Sequence, residues 1–171
     1  MKLKALVVAS IVACATMPAF AARPTVVAAT CRWAALRGPA HCEAASLALL
    51  PASRTRAQGR ASLSFNGAQR QGQFAVMLSK PTRPGSTVML TIGDTPFLLV
   101  SRGAMAWSRG PVQEAAIIAA ARRDSGMRIE ARSERGGRFV DRYLLDGAAT
   151  AIDAAAARCG SARLAKSGRN S

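Results

Sequence analysis

The sequence predicts a mainly β domain with two short helices, an antiparallel sandwich-like fold in a single unit. Three observations carry this. Between Ala61 and Leu145, six segments rich in aliphatic, β-branched or aromatic residues show partial two-residue alternation. Pairs of turn-forming residues fall between them, and two alanine-rich stretches repeat small apolar residues at helical spacing instead.

Taken in order, Ala61 to Phe65 and Gln71 to Leu78 are strands on either side of an Asn66-Gly67 turn. Thr87 to Ile92 follows the Pro84-Gly85 turn. Phe97 to Ser101 follows Gly93-Asp94, and it begins after Pro96 because proline has no N–H to give a ladder. Pro111 to Arg123 is a helix: proline suits the first helical position, and Val112, Ala115, Ala116 and Ala119 recur at helical spacing. Met127 to Ser133 and Phe139 to Leu145 are strands around Gly136-Gly137. The last helix is opened by Asp146 as a cap and ended by Gly160, with Ala149, Ile152, Ala156 and Cys159 along the face turned to the core. Pro51 to Gly59 reads as a loop, and Arg54, Arg56 and the adjoining Arg60 make it locally positive.

The two ends read differently. Lys2 and Lys4 precede an apolar run from Ala5 to Ala15, and Ala19-Phe20-Ala21 places small residues where a signal peptidase reads, so residues 1–21 are expected to be a signal peptide. The run is shorter than the roughly 20 residues a membrane-spanning helix needs. A looser alternative treats Ile11-Val12-Ala13-Cys14 as a lipidation site. The expected domain covers residues 22–160 and has no transmembrane segment. Residues 161–171 carry Arg163, Lys166 and Arg169 without an acidic residue, and read as a basic disordered tail. The expected location is periplasmic or secreted.

The full chain has a formal charge of +15, and the expected leader removes only two lysines from it. Such a charge draws polyanions, and outside the cytoplasm these are anionic lipids, lipopolysaccharide and acidic polysaccharides rather than nucleic acid. Once Cys14 leaves, Cys31, Cys42 and Cys159 remain, an odd number in an oxidising compartment. Pairing Cys42 with Cys159 ties the start of the domain to its last helix, and pairing Cys31 with Cys42 closes a short loop. In the chain-entropy model the long closure stabilises by about 4 to 5 kcal/mol, against less than about 3 for the short one.

Catalytic signatures are sparse. His41 is the one histidine, and beside Cys42 it would have to anchor any serine or cysteine nucleophile. Asp141 and Asp146 are a conceivable carboxylate pair for glycoside hydrolysis, but Asp146 suits a helix cap and Asp141 sits among arginines. Three cysteines and one histidine lack zinc-site spacing, so no metal and no cofactor is expected. Trp33, Trp107 and Tyr143 are read chiefly as core. The clearest candidate for binding is arginine: by the two-residue period Arg138, Val140 and Arg142 share one strand face, while Phe139, Asp141 and Tyr143 share the other. Arg132 joins Arg138 and Arg142 if its strand lies alongside, and Glu130 or Glu134 would neutralise part of the charge.

The run Ser133-Glu134-Arg135-Gly136-Gly137-Arg138-Phe139-Val140-Asp141-Arg142-Tyr143-Leu144-Leu145-Asp146-Gly147-Ala148-Ala149 resembles the closing stretch of the invasion-associated locus B family of exported bacterial envelope proteins. Ala151-Ile152-Asp153, Cys159, Trp33, the neighbourhood of Cys42, Thr91-Ile92-Gly93-Asp94 and Trp107 also look like its features. The resemblance implies a β-sandwich-like envelope protein with no enzymatic site. Longer members carry more cysteines in their middle, where this chain has none. The expected function is non-enzymatic binding of an anionic envelope component or an envelope protein. A small exported hydrolase is the alternative.

Overall fold

The structure, a computed structural model, describes residues 23–39, 41–66 and 69–160. The expected signal peptide and the expected basic tail lie outside the described residues.

Ten strands and two helices form one domain: β1 (Thr25–Thr30), β2 (Trp33–Arg37), β3 (Cys42–Leu47), β4 (Arg60–Asn66), β5 (Gln69–Met77), β6 (Val88–Ile92), β7 (Thr95–Arg102), β8 (Met105–Trp107), α1 (Pro111–Arg123), β9 (Gly126–Arg132), β10 (Arg138–Leu144) and α2 (Ala148–Gly160). The strands join in the order β1-β2-β3-β4-β5-β8-β7-β6-β9-β10, antiparallel throughout. The mainly antiparallel β fold with two helices is therefore the one the alternation predicts.

The joint of this sheet is β7. Its first half, Thr95 to Leu99, pairs with β6, and its second half, Val100 to Arg102, pairs with β8. One strand thus passes between two layers, pairing with β6 in one and β8 in the other. The second layer ends in β10, which returns over the first. The Leu49 N–H donates to the Arg142 carbonyl at 2.8 Å, and Trp33 Nε1–H donates to the Leu144 carbonyl at 2.9 Å. Between the layers lie Leu63, Phe74, Val76, Leu90, Ile92, Ile129 and Tyr143, all essentially sealed from solvent.

α1 lies against β5 and inserts Ile117 into the core. Its bounds are those the sequence predicts, with Pro111 at the first turn, and the Gln113 side chain accepts from the Arg109 N–H at 2.7 Å to hold the entry. α2 covers β1 to β4 and is bonded to them covalently through Cys42–Cys159, whose Cα atoms are 5.8 Å apart. Of the two pairings open in the sequence, the long one is formed, and Cys31 is a free exposed thiol.

Four details depart from expectation. β1 to β3 and β8 carry no strong strand signal, because they are short and several of their buried residues are small: Ala35, Ala44, Ser46 and Ala106. Ala35 and Ala44 are buried on strands that α2 packs against, where larger side chains would hold the helix off. Pro96 stands inside β7 opposite Thr91. The first half of β7 has a strand neighbour on one side only, so the missing N–H faces no ladder. The buried stripe of α2 is Ala148, Ala151, Ile152 and Ala155, one step round from the expected face, and Cys159 stays half-buried at its edge.

Asp146 does not cap α2. The cap position belongs to Gly147, whose carbonyl accepts from the Ala151 N–H at 3.1 Å and whose φ of +83° suits glycine. The backbone of Thr30 packs against this glycine too closely for any Cβ. Asp146 turns its carboxylate to Cys31 instead. The hydrogen bond and the negative charge hold the thiol's pKa above its ordinary value.

Candidate functional site

The site is built on β9 and β10, and the two-residue period decides which side chains face out. Along β10, Phe139, Asp141 and Tyr143 are buried, while Arg138 and Arg142 are exposed. The antiparallel register sets Arg138 directly opposite Arg132 and Arg142 directly opposite Arg128. All three arginines expected from the sequence therefore share one outer face, and Arg128 makes a fourth. Arg128 was missed in the sequence, although stepping back by two from Arg132 through Glu130 reaches it.

Like charges opposite each other in a ladder repel. Here Glu130 relieves part of that repulsion: Arg128 Nε donates to one of its carboxylate oxygens at 3.0 Å and Arg138 to the other at 2.9 Å. These two donors hold the carboxyl below its ordinary pKa, with the Arg128 bond the larger cause. Arg132 donates to the Gly136 carbonyl at 3.3 Å, within its own hairpin. Arg142 has no ion-pair partner among the described residues. Four guanidinium groups thus lie on one face, and only Arg128 and Arg138 pair with its carboxylate. Each presents a planar fork of donors that matches phosphate, sulfate or carboxylate oxygens.

Two shallow open grooves flank this face. One, of about 380 Å³, runs along Ser86, Thr87, Glu130, Arg132 and Arg138. The other, of about 300 Å³, sets Arg128 and Arg142 beside Leu49 and Leu144, two leucines that stay exposed. An anion in either groove meets guanidinium at the wall, and in the second it also meets aliphatic surface.

The inner face of β10 is the opposite kind of place. Asp141 is 2% exposed, and its Oδ2 accepts from the Ser79 N–H at 2.8 Å. The Tyr143 hydroxyl and Ser79 Oγ are buried with no hydrogen-bond partner among the described residues. Burial, and after it the charge of Asp141, pushes the phenol's pKa up, so it keeps its proton. Gly59 closes this corner: a Cβ there would stand 2.7 Å from the Tyr143 oxygen and 3.0 Å from Asp141 Oδ2. A carboxylate sealed in this way meets no substrate.

The other residues singled out in the sequence are scattered. His41 is exposed and serves the β2–β3 turn, where its carbonyl accepts from the Gly38 N–H at 2.8 Å; its neighbour Cys42 is spent in the disulfide. Asp146 lies at Cys31, away from buried Asp141. A second buried carboxylate, Glu114 of α1, accepts from Ser108 Oγ at 2.9 Å inside the domain. Trp33 and Tyr143 are core, and Trp107 is half-buried on the outer surface of β8. Among the described residues there is no group of three or more potential metal ligands, and no helix long and apolar enough to cross a membrane.

No family model, curated protein or solved structure matches this chain.

Proposed function

We propose that this chain is an exported, non-enzymatic protein of the bacterial envelope that holds an anionic partner on the outer face of β9 and β10. The observation that carries the reading is the register of those strands, which stacks Arg132 on Arg138 and Arg128 on Arg142 around the single carboxylate of Glu130. The strongly positive charge, +15 for the full chain less the two lysines of the expected leader, adds a long-range attraction to the same class of partner. The leader-like first 21 residues and the resemblance to the invasion-associated locus B family support the compartment. A long-separation disulfide is at home there as well.

The test is cosedimentation of the chain lacking residues 1–21 with envelopes of its own bacterium, from low to high salt. The same measurement is made on a variant carrying Arg138→Ser and Arg142→Ser. Steeply salt-dependent binding by the parent, reduced roughly ten-fold or more in the variant, is the expected result. Equal binding by both proteins sinks the arginine face, and no binding at low salt sinks the envelope role.

A further inference from the structure

The other outer face of the sheet is unlike the arginine face. Following the register from strand to strand, Leu47 of β3 stands opposite Arg60 of β4, Arg60 opposite Met77 of β5, Met77 opposite Met105 of β8, and Met105 opposite Arg102 of β7. This is one unbroken cross-strand row over five neighbouring strands. Leu47 is 55% exposed, Met77 48% and Met105 40%. In the next row Val100, 40% exposed, faces Trp107. Large apolar side chains normally appear singly on a surface; a row of them marks a contact surface.

We infer that this row is where the protein lies on an anionic lipid bilayer, with Leu47, Met77 and Met105 entering the level between headgroups and acyl chains. The inference rests on the reading of an anionic envelope partner and names its class. Charge complementarity selects the occupant. Met77 and Met105 are flanked in the row by Arg60, which bridges to Glu43 on the same side, and by exposed Arg102, which has no ion-pair partner among the described residues. Arginine keeps its stem on apolar surface while its head reaches phosphate, so the row matches an interface in which both layers are present at once. A second copy would instead set a strongly cationic chain against itself.

A segment added as an extra strand is also excluded at this face, because β4, β5 and β8 each have a strand on both sides. Contact there is made by side chains. Methionine is suited to a fluid partner, since its unbranched chain adapts to irregular surroundings. At its Leu47 end the row leads into exposed Leu49, which lines the same groove as Arg128 and Arg142. The apolar row and the arginine face thus adjoin rather than compete.

The experiment uses vesicles of phosphatidylglycerol and phosphatidylethanolamine, vesicles of phosphatidylcholine alone, and heparin-agarose as a polyanion without an apolar part. The expected result is partition onto the anionic vesicles only, with Trp107 fluorescence quenched by lipids brominated on their acyl chains. Trp33, 2% exposed, should be spared; single Trp33→Phe and Trp107→Phe variants separate the two signals. A variant carrying Met77→Ser and Met105→Ser should melt like the parent and lose vesicle partition roughly ten-fold or more, because both changes fall on exposed side chains. It should keep its heparin retention. Unchanged vesicle binding by that variant, or unquenched Trp107, overturns the bilayer row while leaving the anionic reading standing. The same holds if the two serines abolish capture of an envelope protein but not of lipid. If neither heparin nor anionic vesicles bind, the underlying reading fails and takes this inference with it.

Discussion

The two faces of β10 are one strand put to opposite uses. Its inward residues Phe139, Asp141 and Tyr143 are sealed, and its one charge is matched to a backbone N–H at Ser79. Its outward residues Arg138 and Arg142 are exposed, and the nearest carboxylate is shared between two guanidiniums. A polar group inside must have its partner or destabilise the fold, whereas a polar group outside has water as its default partner and stays available to a ligand. The difference teaches where in this strand to look for stability and where for binding.

The largest effect that would expose this division is Asp141→Ala. It strands the Ser79 N–H in the core and empties the corner under β10, and is expected to destabilise the domain by about 2 to 4 kcal/mol in urea titration. Gly59→Ala attacks the same corner by volume. The new Cβ has no room beside the Tyr143 oxygen, and a loss of about 1 to 3 kcal/mol is expected from the same titration. A variant with the added change Tyr143→Phe, which removes that oxygen, should recover part of the loss.

On the outer face the expected effects move from stability to affinity. Glu130→Gln releases Arg128 and Arg138 and should raise heparin affinity severalfold at neutral pH, with the melting temperature nearly unchanged. Acid should imitate it. The folded-state pKa of Glu130 is lowered, so the stabilisation from its two bridges is complete above the ordinary glutamate range and is lost as pH falls through the lower value. The Glu130 contribution to heparin retention by the parent chain should therefore appear only below the ordinary glutamate range, and the Glu130→Gln variant should show a correspondingly smaller rise there, since the other surface carboxylates protonate in both proteins. Arg142→Ser, finally, should leave stability within about 0.5 kcal/mol. If it costs as much as Asp141→Ala, the two faces are not the separate systems described.

Most of this division is legible in the sequence wherever alternation is strong. β4 to β7, β9 and β10 are found within a few residues of their ends, and the period of two sorts β10 into its two faces without a structure. The same period places Arg132 and Arg138 on one side only once the β9–β10 register is known, and register depends on the hairpin at Gly136-Gly137. β1 to β3 are illegible for a physical reason: an alanine-lined strand is made to receive a helix, and alanine by itself favours helix over strand. The Asp146 cap fails because the tight approach of Thr30 demands glycine at the next position, a contact across more than a hundred residues that no local pattern carries. The Leu47 to Arg102 row is likewise invisible in the chain, since its five members come from five strands.

The reach of the Cys42–Cys159 bond also sets an order in time. Its two cysteines are 117 residues apart, and the helix that covers β1 to β4 is the last of the described elements. A chain made from its N-terminus therefore produces first the strands that are covered last, and their alanine-lined face must wait for α2 before the bond can close. Synthesis has to pass Cys159 before the covalent lock can exist. A chain stopped between Leu144 and Cys159 would contain all ten described strands and none of the fastening.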